Sequence, residues 1–299
     1  GSAALLDDRL IFGDGSGQTY CYDHDGILIW NHSGAAPILS TPLAVDGLVY
    51  VTNVDDVTIA LDVSTGQLQW QYKRPKDATR TTELALFSAP RPVLSGNTLI
   101  TGYSDGAIVG IRATTGEVLW DVQVGEGRYP DIVGTPAASD TDVFASGYFG
   151  PLVAIDKLTQ NVRWKVEAGA AAESIGVNID GSERLLHPGS DGTLRNIDTL
   201  TGGEIWSWKS GNNGALTKPT LTPAGVLVGA TDGGVFLIDM NSGEEVWRDT
   251  YRYQLEGVTA APLVDGRDLF FTSNAGYLYR MRSFIDDKAN HSRTKDGWV

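Results

Sequence analysis

The chain has 299 residues, 41% of them hydrophobic, which supports a packed core and excludes wholesale disorder. A net charge of −14 repels phosphate backbones and argues against nucleic acid as a partner; the plain reading of the charge is solubility. No apolar run approaches the ~20 residues that a membrane helix needs. The single cysteine, Cys21, excludes a disulfide framework and any CxxC metal or haem motif.

Four short strands, here called a to d, recur along the chain. The first unit reads as Ala3–Leu6, Leu10–Gly13, Thr19–Tyr22 and Ile27–Trp30. The second reads as Ser40–Val45, then an Asp46-Gly47 turn, Leu48–Thr52, Val57–Leu61 and Gln67–Tyr72. The third takes Ala89–Leu94, Thr98–Gly102, Ala107–Ile111 and Val118–Val122. The fourth takes Thr135–Ala138, Asp142–Ser146, Pro151–Ile155 and Val162–Val166. The fifth, the least regular, takes Ser174–Ile179, Arg184–His187, Thr193–Ile197 and Glu204–Trp208. The sixth takes Pro219–Thr222, Val226–Ala230, Val235–Ile238 and Glu245–Arg248. The seventh gives Ala260–Val264, Leu269–Thr272 and Tyr277–Met281, after which the pattern stops.

The repeat is anchored by one phrase, Leu61-Asp62-Val63-Ser64-Thr65-Gly66-Gln67-Leu68-Gln69-Trp70, which recurs at 111–120, 155–164, 197–206 and 238–247 and, one residue shorter, at 22–30. Its tryptophans, Trp30, Trp70, Trp120, Trp164, Trp206 and Trp247, lie 40, 50, 44, 42 and 41 residues apart, the signature of a repeat architecture. A glycine precedes the tryptophan by four residues in every copy but one, where Gln160 stands. The fold class expected is all-β: a seven-bladed β-propeller of four-stranded antiparallel blades, with the six tryptophans docked between blades. It is expected to form a single domain over 1–283, with blades at about 1–34, 35–75, 86–124, 133–168, 172–210, 217–249 and 258–283. A buried indole removes roughly 150–250 Å² from water, at most ~4–6 kcal/mol per blade.

Closure is open at this stage. The polar tail at 284–299 folds back and docks Trp298, or a strand upstream of Gly1 completes the last blade, or that blade keeps three strands. Gly1-Ser2 has the look of a cloning scar, so a native leader or anchor is expected upstream.

The longest connections run from strand d to the next strand a and gather on one face. Lys73–Phe87 carries Lys73, Arg74, Lys76 and Arg80, then apolar Leu84, Leu86 and Phe87; Gly125–Val133 carries Arg128 and Tyr129; Thr250–Glu256 carries Arg252 and Tyr253 beside Tyr251. Arginine and tyrosine on loops held by a rigid frame are the usual anchors of protein interfaces, against the plain reading of solvated loops whose aromatics cap the core. Asp23-His24-Asp25-Gly26 resembles a piece of a calcium loop but lacks the later oxygen ligands, and it reads as a turn. The four histidines show no metal spacing, and no nucleophile elbow, HExxH pair or phosphate loop occurs, so no catalytic residue, metal or cofactor is expected.

The phrase Leu-Asp-x-x-Thr-Gly-x-x-x-Trp, with its Ser/Thr-x-Pro strand and Asp-Gly turn, resembles the quinoprotein (PQQ-type) propeller repeat, and the resemblance covers residues 1 to about 283. Within that superfamily the chain is most similar to the BamB family of outer-membrane lipoproteins. The similarity is carried by Arg128-Tyr129-Pro130-Asp131-Ile132-Val133-Gly134-Thr135-Pro136, by Leu84-Ala85-Leu86-Phe87-Ser88-Ala89-Pro90 and by Gly276-Tyr277-Leu278-Tyr279. The resemblance implies a periplasmic, outer-membrane-associated scaffold that contacts a protein of the barrel-assembly machinery through the first two loops, with Leu84 and Asp131 at contact positions. Ala85 stands where the family has an arginine, Val133 replaces its second aspartate, and seven blades stand where the family typically has eight.

The residues expected to bind the partner are therefore Leu84, Phe87, Arg128, Tyr129, Asp131, Arg252 and Tyr253, presented by a monomer. The alternatives from other classes are a PQQ-dependent dehydrogenase or small-molecule-binding propeller, and the sensory ectodomain of a larger membrane protein.

Overall fold

The computed structural model describes residues 3–75, 89–126, 129–211, 213–249 and 257–282. It divides into two compact units, Gly1–Glu167 and Ala168–Val299.

The first unit holds four antiparallel sheets, each a meander of consecutive strands. They are β1 (Ala4–Leu6), β2 (Arg9–Gly13), β3 (Gln18–Asp23) and β4 (Leu28–Ser33); β5 (Leu43–Val45), β6 (Leu48–Thr52), β7 (Val57–Asp62) and β8 (Leu68–Lys73); β9 (Val93–Ser95), β10 (Thr98–Gly102), β11 (Ala107–Arg112) and β12 (Val118–Gln123); and β13 (Ala137–Ala138), β14 (Asp142–Ser146), β15 (Leu152–Asp156) and β16 (Val162–Val166). The second unit holds β17 (Ile175–Ile179), β18 (Ser182–Pro188), β19 (Thr193–Asp198) and β20 (Glu204–Lys209); β21 (Thr220–Thr222), β22 (Gly225–Gly229), β23 (Val235–Ile238) and β24 (Glu245–Asp249); and β25 (Leu263–Asp265), β26 (Asp268–Thr272) and β27 (Leu278–Arg282). Six sheets have four strands; among the described residues the last has three. The tail at 284–299, Trp298 included, lies outside the described residues.

The middle strands read as unbroken apolar runs because both of their faces are covered. Val49, Val51, Ile59 and Leu61 of the second sheet meet Ile11, Cys21 and Trp30 of the first. From the opposite face, Tyr50, Ala60 and Trp70 meet Leu99, Val109 and Ile111 of the third. In the second unit Leu186, Leu194 and Trp206 likewise meet Val226, Val228 and Phe236. The outermost strands alternate instead: in β4 and β8 the tryptophan is buried and its neighbours are exposed.

Every four-stranded sheet slips register once between its third and fourth strands, at Cys21/Tyr22, Ala60/Leu61, Gly110/Ile111, Ala154/Ile155, Asn196/Ile197 and Leu237/Ile238. Such a bulge bends the edge strand and re-aims its side chains. Three of the tryptophans then reach the c–d turn of the following sheet. The Trp30 indole N–H donates to Val63 O at 2.9 Å, Trp70 to Ala113 O at 2.7 Å and Trp206 to Met240 O at 3.0 Å. Each ring lies flat over a glycine of positive φ, Gly66, Gly116 or Gly243 (+70°, +77°, +72°), where a Cβ would stand only 2.6, 2.9 or 2.7 Å from the ring. Glycine is required there twice over, by the left-handed backbone and by the indole. The turn is fixed by an aspartate: Asp62 Oδ1 accepts from the Ser64 and Thr65 amides and from Thr65 Oγ1, an arrangement repeated at Asp156, Asp198 and Asp239.

Trp120 departs from this pattern. Gln160 occupies the glycine position of the fourth sheet's turn with φ +62°, and Trp120 is half-buried with its ring against Gly110 of its own sheet, where a Cβ would stand 2.1 Å away. Trp164 is also half-buried and stacks on Phe144 with centroids 5.8 Å apart; half-buried Trp247 packs against the cluster around Leu237 and Leu269.

Candidate protein-binding face

Because the strands alternate in direction, each sheet has its a–b and c–d turns at one end and its b–c turn and d–a connections at the other. The tryptophan docks occupy the first end. In the first unit the described residues build the second end most fully around the third and fourth sheets.

Arg74 leaves β8 and crosses to the third sheet. Its Nε donates to Asp105 Oδ2 at 2.7 Å, its Nη1 pairs with Asp121, and its backbone N–H donates to Asp56 O at 3.0 Å. The side chain is only 14% exposed. Burial disfavours its charge, but the bonds to Asp121 and Asp105 outweigh this and raise its pKa, so it is a fixed cation. The sequence groups Arg74 with the solvated cations of its loop; the structure commits it to a pin between adjacent sheets. Next to it, Asp56 accepts from Ser104 N at 2.8 Å and Ser104 Oγ at 2.6 Å.

The 125–133 connection is rooted on the same turn. Val124 N and Gly125 N both donate to Gly106 O, at 2.9 and 2.8 Å, and Ile132 N returns to Tyr103 O at 3.2 Å. Gln123 Nε2 bridges Asp105 O and Gly125 O at 2.7 and 2.9 Å. The backbones cross so closely that a Cβ on Gly125 would lie 1.8 Å from Pro130 O and 2.8 Å from Gly106 Cα.

On this base sits an aromatic group. Tyr148 meets Phe149 edge-on, with centroids 4.5 Å apart and planes at 81°, and Tyr129 lies 6.0 Å from Phe149 at 56°. Phe149 is 67% exposed, whereas both tyrosines are half-buried. Edge-to-face pairs of this kind hold rings in place beyond what area alone gives.

Of the partner-binding residues expected from the sequence, Tyr129 and Asp131 are described. Tyr129 lies in the aromatic group. Asp131 is 1% exposed and presents inward; its backbone carbonyl accepts from Tyr148 N at 3.2 Å. Leu84, Phe87, Arg128, Arg252 and Tyr253 lie outside the described residues. Tyr148 and Phe149 are not among the residues singled out from the sequence, although a signal is there. Three other b–c turns read Ser104-Asp105-Gly106, Ser190-Asp191-Gly192 and Thr231-Asp232-Gly233, while this one reads Gly147-Tyr148-Phe149-Gly150.

Other titratable groups are committed to structure. Asp23 Oδ1 accepts from Asp25 N and Ile27 N, so the segment 23–26 is a turn, and among the described residues no cluster of three acidic, His or Cys side chains is placed to hold a metal. His187 is fully buried between Ser174 Oγ (2.8 Å from Nδ1) and Ala168 O (2.9 Å from Nε2), and burial pushes its pKa down to about 4. Cys21 is buried under Trp30, and burial raises its thiol pKa.

Sheets of this kind, with tryptophan-sealed turns, define a β-propeller of PQQ-type repeats, and comparison with known structures agrees. The crystal structure of BamB from Moraxella catarrhalis superposes with a TM-score of 0.77 at 22% identity, covering 92% of this chain and 82% of that one. A quinohemoprotein alcohol dehydrogenase from Pseudomonas putida superposes at 0.69 with 14% identity, covering 92% of this chain and 62% of that one, a likeness of fold alone.

The sequence model of the family described as outer membrane protein assembly factor BamB matches residues 1–178 and 132–286, and the chain belongs to that family. The BamB proteins of Yersinia pestis and Bordetella pertussis are 24% and 27% identical, over 86% and 76% of this chain. The chain spans 64% and 58% of their lengths, under two thirds of either relative.

Proposed function

We propose that the protein is a non-enzymatic scaffold in the assembly of outer-membrane proteins, working in the periplasm at the outer membrane. It binds a protein of the assembly machinery through the b–c and d–a end of its third and fourth sheets. The observation that carries this reading is Phe149, a large aromatic left 67% exposed on a turn braced by Tyr148 and Tyr129. Apolar rings held rigidly at a loop tip are the side chains that dominate binding energy at protein interfaces. Leu84 and Phe87, outside the described residues, are further contact positions expected from the sequence, and Asp131 serves the face from beneath through its backbone bond with Tyr148. The process is the one the family is described by, outer membrane protein assembly.

The test is capture from detergent-solubilised outer membranes by the wild-type chain, Phe149→Asp, and Leu84→Asp plus Phe149→Asp. A barrel-assembly component retained by the wild type and lost from both variants supports the reading. Equal recovery by all three chains would reject this face.

A further inference from the structure

We propose that the Tyr103–Gly106 turn is a shared footing for Arg74, where the chain leaves β8, and for the 125–133 connection, with Arg74 and Asp105 as positioning residues. On this basis the Arg74 anchor and the ends of the 125–133 connection hold or loosen together. The inference rests on the reading that this face binds a protein, but its geometry stands apart from that reading.

Four residues of one turn are held from two sides. From the second sheet, Arg74 at the end of β8 grips the Asp105 carboxylate, and Asp56 of the β6–β7 turn accepts from both the amide and the hydroxyl of Ser104. From the side of β12, three backbone amides, those of Val124, Gly125 and Ile132, end on carbonyls of Gly106 and Tyr103. Tyr103 is itself locked from beneath: it is fully buried, and its hydroxyl lies 2.8 Å from Thr58 Oγ1 of the second sheet. The turn has little freedom to serve one side without the other. Gly106 has φ +87°, and a Cβ there would lie 2.8 Å from Gly125 Cα and from Gln123 Nε2, so backbone crosses backbone with the Gln123 amide bonded to both. Arg74 reaches two carboxylates on separate elements, Asp105 on the turn and Asp121 on β12. A guanidinium suits that task because its donors are fixed in one plane. Removing it leaves two carboxylates close together with their shared cation gone, and Asp105 is only 22% exposed.

The consequence is a signal that crosses the turn. Among the described residues Arg74 bonds the turn and β12 rather than the 125–133 connection, yet its loss should loosen that connection. The experiment is amide hydrogen exchange on the whole chain, comparing wild type with Arg74→Gln and with the isosteric Asp105→Asn. Exchange at Val124, Gly125 and Ile132 is expected to quicken about tenfold in both variants. The Ala113 and Gly116 amides, at the opposite end of the same sheet, should keep their wild-type rates. Unchanged rates at the three reporters would overturn the proposal, and so would a uniform rise through all sheets, which marks general destabilisation. Capture of the assembly component by the same variants forms the second arm. Loss in step with faster exchange supports a positioning role in binding; full capture despite faster exchange overturns that role. A wild-type chain that captures nothing refutes the partner reading, while the exchange rates still decide the footing.

Discussion

Gly26 and Gly116 occupy the same place in the repeat and share a φ of +77°, yet their surroundings differ. A Cβ on Gly116 would lie 2.9 Å from Cδ2 and Cε3 of Trp70; a Cβ on Gly26 would have nothing within 4 Å. Alanine at both positions therefore separates two costs that are otherwise tangled. The left-handed backbone disfavours any L side chain by about 1–2 kcal/mol, offset by ~0.4–1 kcal/mol from the narrower unfolded ensemble. That leaves about 1 kcal/mol for Gly26→Ala. At Gly116 the indole must also retreat from contact, straining its 2.7 Å bond to Ala113 O, and overpacking of this kind adds about 1–3 kcal/mol. Gly116→Ala is expected to cost about 2–4 kcal/mol in total. Both glycines lie in the first unit, so one urea transition read by tryptophan fluorescence reports both. Losses that agree within about 0.5 kcal/mol, with equal slopes, would refute the claim that the indole is seated on the turn.

Gln160 provides the converse: Gln160→Gly removes the strain of a left-handed non-glycine residue, and the expected outcome is a change between neutral and about 1 kcal/mol stabilising in the same urea assay. His187 makes stability depend on pH. Its folded pKa of about 4 lies below the unfolded value of 6.5, so the unfolded chain binds the extra proton, and stability falls as pH drops from about 6.5 towards 4. The full loss amounts to roughly 3 kcal/mol, and His187→Gln should flatten that slope in urea titrations at pH 4.5, 5.5 and 7. Trp70→Phe is expected to cost less than the usual 3–5 kcal/mol of a Trp→Ala truncation, because Tyr50 OH also donates to Ala113 O at 3.3 Å and keeps that carbonyl satisfied; comparing the two variants by urea midpoint checks it.

The fold was legible because its determinants are local and repeated. The Asp-x-x-Thr-Gly turn and the tryptophan four residues after its glycine fix a bulge, a turn and a docking contact within ten residues. The tryptophan spacing then counts the units. Some exceptions were legible as departures but not as structures: Gln160 announces an irregular turn, but the placement of Trp120 against Gly110 depends on two sheets meeting in space. The binding face was less legible for the same reason. Arg74 reads as one more loop cation until Asp105 and Asp121, 31 and 47 residues away, are seen beside it. Asp131 reads as a contact residue by resemblance, and only its burial shows that it faces inward.

The two ends of each sheet answer to different constraints. At the c–d end the turn is tied to the a–b turn of its own sheet, as Val63 N is to Gly47 O, Ala113 N to Asn97 O and Lys157 N to Thr141 O. In the second, third and sixth sheets it also receives an indole from its neighbour, so a change there is felt by two sheets at once. That end therefore keeps its sequence phrase. At the b–c end the backbone bonds reach the connecting segments instead: Val54 N to Pro37 O, Arg74 N to Asp56 O, Val124 N to Gly106 O. Bonds of that kind fix where a connection starts and stops but leave its tip open to any residue. The Asp-Gly turn could therefore become Tyr148-Phe149 without loss of the frame beneath it. A partner surface written in such tips carries no repeat of its own, and the residues that anchor it must be sought where the repeat is broken.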